Sequence, residues 1–193
     1  MEFRIAIFIS GNGSNMLNII EACKDNILES EVLVVVADND KAGGINFAKQ
    51  KRIDTFVIKK SSFETIEDFD NELLKLLNIS GINLVCLAGY MGILSHNFLK
   101  KWKYKIINIH PSLLPKYKGL NTHKRVIQNN EVFSGCTVHY VDKDIDSGQI
   151  IDQKKVRILE SDDKLTLQKK ILKEEHKLYI KVLKQMEKNY EKK

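Results

Sequence analysis

The chain has 193 residues, 43% of them hydrophobic and 29% charged, and a formal net charge of +6. That length accommodates one domain with a sizeable core, and the composition is that of an ordinary soluble globular protein. The opening stretch MEFRIAIFIS is apolar over too few residues, and lacks the basic leader, to serve as a signal peptide or a membrane span. Three scattered cysteines, Cys23, Cys86 and Cys136, form no C-x-x-C pair and read as reduced thiols of a cytoplasmic protein.

Residues 3–9 (FRIAIFI) read as a buried strand, followed by SGNGSN and an apolar pattern of helical spacing over 15–24. Two glycines followed by a new helix N-terminus make an anion site, most naturally for phosphate. A dinucleotide fingerprint is incomplete here, because Met16 stands at the third glycine position, and the P-loop lysine is absent. The alternative reading is an ordinary strand-to-helix turn capped by Ser or Asn; as a ligand, a small phosphate ester fits better than NAD.

EVLVVVAD (31–38) predicts a second strand, 43–52 a helix and 54–59 a short strand. Residues 61–77 have helical periodicity, with Ser61 or Ser62 as the expected cap. A buried strand over 83–89, a short helix over 95–101 and a strand over 104–110 follow. Strands and helices in alternation predict a mostly parallel sheet with helices on both faces. GCTVHYVD (135–142) and IIDQKKVRI (150–158) leave no room between them for a crossover helix, which predicts antiparallel pairing.

Residues 164–187 predict a C-terminal helix and 188–193 a basic tail. Much of the net charge lies after residue 154. It reads either as a solvated helix face or as a surface for a polyanion. No basic cluster interleaves with aromatic residues, which favours the solvated face and no nucleic-acid partner. The expected class is α/β, a single-domain Rossmann-like three-layer sandwich spanning 1–193 with a mostly parallel mixed sheet.

Both prolines of the chain, Pro111 and Pro115, lie in NIHPSLLPKYKG (108–119). Asn108 and His110 share one face of a strand end, where ligands bind in α/β sheets. Pro111 ends the strand and Pro115 stiffens the departing loop. An amide donor and an imidazole held side by side suit an oxyanion and a proton transfer, although a histidine at a strand end is often structural. In DKDIDSG (142–148) the alternating carboxylates imitate the start of a calcium loop, but Ser147 and Gln153 occupy the required glycine and glutamate positions. Carboxylates on such a turn face solvent, unless one reaches a histidine.

ISGNGSN, LAGYMGILS (87–95), NIHPSLLPKYKGLNTH (108–123) and SGCTVHYVDKDIDSGQII (134–151) occur in this order, and together the chain closely resembles the phosphoribosylglycinamide formyltransferase family to about Tyr179. The resemblance implies a metal-free α/β transferase of purine biosynthesis with 10-formyltetrahydrofolate as cosubstrate. By position it makes Asn108, His110 and Asp146 catalytic. Gly11, Asn12, Gly13, Ser14 and Asn15 become the substrate phosphate cradle, and Glu175 a contact to the ribose. Leu87, Met91, Gly92, Ile93 and Leu94, with Asp142 and Asp146, become the folate site. Cys136 is expected to pack rather than to act as a nucleophile.

Three departures stand out. The family usually has arginine where this chain has Gly92, often arginine at Ile66, and a polar residue at Leu172, for which Lys170 or Lys173 would have to compensate. The resemblance implies small-molecule substrates, no membrane, and a monomer or homodimer. Two neighbouring chemistries, formyltetrahydrofolate hydrolysis and methionyl-tRNA formylation, share the Asn-x-His and Asp set but normally carry an added domain. A module that binds a phosphorylated metabolite without chemistry is the remaining alternative.

Overall fold

The structure, a computed structural model, describes residues 3–190. Met1, Glu2 and the end of the expected basic tail lie outside them. The elements in chain order are β1 (Arg4–Ile9), α1 (Ser14–Lys24), β2 (Glu31–Ala37), α2 (Gly44–Gln50), β3 (Asp54–Val57), α3 (Ile66–Ile79), β4 (Leu84–Leu87), α4 (His96–Lys101), β5 (Lys105–His110), α5 (Thr122–Gln128), β6 (Phe133–Tyr140), β7 (Ile150–Arg157) and α6 (Lys164–Tyr190). The seven strands are hydrogen-bonded in the order β3-β2-β1-β4-β5-β6-β7. This is the expected α/β class with a mostly parallel mixed sheet.

The described residues form two compact units, one of residues 3–107 with 184–190, the other of 108–183. In the first, β1 pairs in parallel with β2 and β4, and β2 with β3. Nearly every side chain of β1, β2 and β4 is buried, which is why their sequences are unbroken apolar runs. β3 is the edge strand and is mostly exposed. The chain moves from β1 outward to β3, then returns to β4 on the other side of β1, so the carboxyl ends of β1 and β4 flank a topological switch point.

The second unit holds the antiparallel pair β6–β7, with Phe133 opposite Arg157 and Val138 opposite Asp152. Much of α6 belongs to this unit. Leu167, Ile171, Leu178, Tyr179 and Val182 are buried at helical spacing. Glu175 and Glu187 interrupt that stripe and are buried too.

Three predicted details are corrected. α3 starts at Ile66, not near Ser61, because the Thr65 side chain accepts from the Asp68 N–H while Asp68 accepts from the Thr65 hydroxyl at 2.6 Å. Residues 60–62 form a separate short 3-10 turn. α5 has no counterpart in the predicted elements. α6 also runs beyond its predicted end at 187 to Tyr190.

Glu187 anchors the end of α6 within the first unit. Its Oε1 accepts from the Ser30 N–H at 2.8 Å and from the Ser30 hydroxyl. Removing this acceptor strands two buried donors, each costing about 1–3 kcal/mol. Glu187→Ala is therefore expected to lower the urea midpoint clearly, and Glu187→Gln, which keeps an acceptor, to lower it less. Equal midpoints for the wild type and Glu187→Ala would contradict the anchoring role.

Candidate active site

The carboxyl end of β1 leads into the glycine loop. Gly13 caps α1 in the left-handed region at φ 70, and its carbonyl accepts the first helical hydrogen bond from the Leu17 N–H at 2.8 Å. No Ser or Asn side chain caps this helix. Gly11 and Asn12 are exposed, Ser14 is half-buried, and Gly13 and Asn15 are buried. The start of α1 is therefore set by the Gly13 backbone rather than by a side-chain cap.

Ser10 ties this loop to its neighbours in the first unit. Its hydroxyl donates to Asp38 at 2.6 Å and accepts from the Met91 N–H at 2.7 Å, while its N–H donates to the Gly89 carbonyl at 3.2 Å. Asn39 donates to the Ser10 carbonyl at 3.0 Å and to Asp38 at 2.7 Å. The backbone at Met91 is thereby fixed against the end of β1. Of the residues expected to wall a folate, Met91 and Ile93 are 60% and 64% exposed, whereas Leu87 and Leu94 are buried. The latter two support the segment from inside.

In the second unit the structure brings together Asn108, His110 and Asp146. His110 Nδ1 lies 3.3 Å from Asp146 Oδ2, and both side chains are at least nine-tenths buried. His110 Nε2 is 2.9 Å from the Tyr117 carbonyl. A carbonyl only accepts, so Nε2 carries the hydrogen and Nδ1, beside the carboxylate, is the nitrogen that gains or loses a proton. Asp146 Oδ2 also accepts from the Gly119 N–H at 2.8 Å. Segment 116–119, which follows Pro115, thus supplies an acceptor to the histidine and a donor to the aspartate. Thr137 pins the loop by donating to the Ser112 carbonyl at 2.6 Å and accepting from the Leu114 N–H at 3.1 Å.

Sequence reasoning assigned no role to His139. Its Nδ1 lies 2.8 Å from the Tyr140 carbonyl and must donate there. Its Nε2 is 3.2 Å from Asn108 Nδ2 and 3.5 Å from Asp146 Oδ1. Asn108 Nδ2 also donates to Asp146 Oδ1 at 3.4 Å. The Asn108 amide nitrogen, expected to point at a substrate, is thus aimed at His139 and Asp146. Asp142 and Asp144 are exposed, as befits a turn, and Asp142 accepts from the next N–H, that of Lys143, at 2.7 Å.

Burial pushes the Asp146 carboxyl up, but its contacts with the His139 ring and the Gly119 N–H and the nearby His110 imidazole outweigh it and hold it below the usual carboxylate range. Burial of the His110 ring lowers its pKa, and the Tyr117 carbonyl and the Asp146 charge, which act upward, do not fully compensate. A neutral His110 beside an ionised Asp146 is ready to take a proton on Nδ1. The buried Cys136 thiol is pushed up to about 12 by burial and by the charges of Glu175 and Glu174, so it is a packed thiol rather than a nucleophile.

Glu175 is 7% exposed on the inner stripe of α6. Ile66 is 50% exposed and Leu172 is half-buried. Lys170, one of the two lysines expected to compensate, is instead paired with Asp162 at 2.6 Å, while Lys173 is exposed.

The formyl transferase family model matches residues 3–183. Phosphoribosylglycinamide formyltransferase of Escherichia coli (strain K12) is 38% identical over 175 residues, 91% of this chain and 82% of that protein. Trifunctional purine biosynthetic protein adenosine-3 of Drosophila melanogaster is 41% identical over 175 residues, 90% of this chain, which spans 13% of that relative's length. The solved phosphoribosylglycinamide formyltransferase of Brucella melitensis superposes with a TM-score of 0.91 at 39% identity, covering 96% of each chain. Family model, relatives and fold agree, and the chain belongs to the formyl transferase family.

Proposed function

We infer that the chain transfers the formyl group of 10-formyltetrahydrofolate to the amine of 5'-phosphoribosylglycinamide in purine biosynthesis. The observation that carries this reading is the buried cluster of Asn108, His110, His139 and Asp146 in a formyl transferase chain. Residues 1–193 are read as one transferase domain, working in the cytoplasm. Gly11–Asn15 cradle the substrate phosphate and Glu175 contacts the ribose. Met91, Gly92 and Ile93, supported by Leu87 and Leu94, contribute to the folate site together with Asp142 and Asp146.

The substrate amine attacks the formyl carbon, a C–N bond forms and the carbonyl oxygen becomes an oxyanion. Asn108 stabilises it by giving up its long 3.4 Å contact to Asp146 and turning one amide hydrogen to the oxygen. His110 takes a proton on Nδ1, where Asp146 stabilises the resulting cation, and passes it towards the folate nitrogen. The bond from the formyl carbon to that nitrogen then breaks. The amine has lost one proton and the leaving nitrogen has gained one, so the step balances without a covalent enzyme intermediate.

No residue of this mechanism needs a metal ion. Among the described residues no group of three His, Cys, Asp or Glu side chains is arranged so as to hold one. Formyl transfer is expected to keep its rate after EDTA dialysis and to require the ribonucleotide amine as acceptor. Loss of turnover on chelation, restored by a divalent ion, would overturn the mechanism. Turnover with water or methionyl-tRNA in place of that amine would overturn the acceptor.

A further inference from the structure

Tyr117, in the loop after β5, holds a backbone conformation that its residue type disfavours. It stands at φ 58, in the left-handed region, where a bulky residue carries a cost and persists only if its surroundings hold it. In that conformation the Tyr117 carbonyl lies 2.9 Å from His110 Nε2. The chemistry uses this carbonyl but not the tyrosine side chain.

That side chain is anchored by α5 and the residues directly after it. The Tyr117 hydroxyl donates to Glu131 Oε1 at 2.9 Å and accepts from Asn129 Nδ2 at 2.9 Å. The Arg125 guanidinium lies 5.3 Å from the ring centroid, and its Nη1 donates to the Lys118 carbonyl at 2.6 Å. Glu131 Oε1 also accepts from Lys116 Nζ at 2.9 Å. Lys116 and the Tyr117 hydroxyl hold the Glu131 carboxyl below the usual carboxylate range, so it accepts as an anion. The Lys116 side chain is 69% exposed, and an ion pair so placed contributes little. The bond from the half-buried tyrosine, charge-assisted and on a rigid ring, is the stronger anchor.

The His110 tautomer depends on the Tyr117 carbonyl. Asp146 Oδ2, 3.3 Å from Nδ1, is a second acceptor that competes for the ring hydrogen. Without the carbonyl on Nε2, the hydrogen settles on Nδ1, where Asp146 accepts it, and the nitrogen that must take up the substrate proton is blocked. We propose that Glu131 is a positioning residue that fixes the Tyr117 side chain, holds the carbonyl of that residue on His110 Nε2, and so keeps Nδ1 free for proton transfer. Its effect on the reaction passes through Tyr117 alone. The proposal rests on the formyl-transfer reading above.

The test pairs steady-state kinetics with nitrogen NMR of protein labelled in its histidine rings, which reports each tautomer directly; His110→Gln assigns the His110 signals. Glu131→Ala is expected to lower kcat about three- to tenfold, the scale of one net hydrogen bond, with both KM values within about twofold of the wild type. The His110 signals should move from the Nε2–H pattern towards Nδ1–H, while the other histidine signals stay dispersed as in the wild type and so show a folded chain. Glu131→Gln keeps an acceptor for the tyrosine hydroxyl and should recover most of the loss, although its charge on Lys116 is gone. Tyr117→Phe should match Glu131→Ala, and the double variant should lose no more than either, because hydroxyl and carboxylate act as one unit. Wild-type kcat in Glu131→Ala, additive losses in the double variant, or a lowered kcat with the His110 signals unmoved would each overturn the proposal. So would an equal loss in Glu131→Gln, because the Lys116 ion pair would then be the operative contact. A wild type that transferred no formyl group would remove the transfer reading, and the tautomer spectra would still decide the anchor.

Discussion

Asp146→Asn is expected to lower kcat by at least about 10²-fold, the usual scale of an acid–base contribution, with little change in either KM. The carboxylate faces four partners: His110, His139, Asn108 and the Gly119 N–H. An amide cannot satisfy this set. If its oxygen accepts from Gly119, its NH2 meets the NH2 of Asn108, donor against donor. The backbone should tolerate the change, because residue 146 sits at φ 48, a region asparagine enters readily. The loss therefore reports on charge and hydrogen bonding, not on misfolding.

The pH profile gives the sign. Burial already lowers the His110 pKa, with Asp146 acting upward against it. The neutral imidazole is the working form, so wild-type activity should fall as pH drops through that lowered value. Without the Asp146 charge the pKa falls further, and the acid limb of the residual activity should move to lower pH. Asp144→Asn, on the same turn but exposed, is the control and should be nearly silent. Equal losses in the two variants would remove Asp146 as the partner of His110.

The second large effect is expected from Gly13→Val. Gly13 stands at φ 70, where a β-branched residue is strained, and a Cβ would lie 3.0 Å from Met16 Cε and 3.3 Å from Gly44 Cα. The loop must shift, and with it the backbone of the proposed phosphate cradle. KM for the ribonucleotide should rise by at least about tenfold, of the order of one lost charge-assisted hydrogen bond, with tetrahydropteroylglutamate binding preserved. Gly11→Ala separates binding from folding. A Cβ there meets no protein atom within 4 Å, so thermal stability should be unchanged and any loss must arise at the ligand. Unaltered ribonucleotide KM in Gly13→Val would remove the phosphate cradle.

What the sequence makes legible follows from where its physics is local. The buried strands of the first unit are readable because each is an apolar run longer than a turn. α5 is not, because among THKRVIQ only Thr122 and Val126 are buried, too few to set a helical period. The start of α3 carries a signal that outranks Ser61 and Ser62: Thr65 followed three residues later by Asp68, a reciprocal cap.

The same division holds at the site. Asn108 and His110 are marked by the prolines that follow them, and Glu175 is a carboxylate standing in an apolar stripe. His139 hides in a strand, where a histidine has no distinguishing period, and only the fold brings it to Asp146. The Tyr117 carbonyl and the Gly119 N–H are backbone groups. They bear no signature in residue type, yet they fix the tautomer of His110 and help keep Asp146 ionised. The direction of the His110 pKa is likewise a matter of burial, which a neighbouring carboxylate in sequence does not reveal.

The most direct measurement is the fate of the formyl carbon. Purified protein is incubated with 10-formyltetrahydrofolate labelled in the formyl group and with 5'-phosphoribosylglycinamide. The label should appear in the amide of the ribonucleotide product, one equivalent for each tetrahydrofolate released, and should stay on the folate when the ribonucleotide is omitted. Label recovered as free formate, or release of tetrahydrofolate without the ribonucleotide, would contradict transfer to the amine.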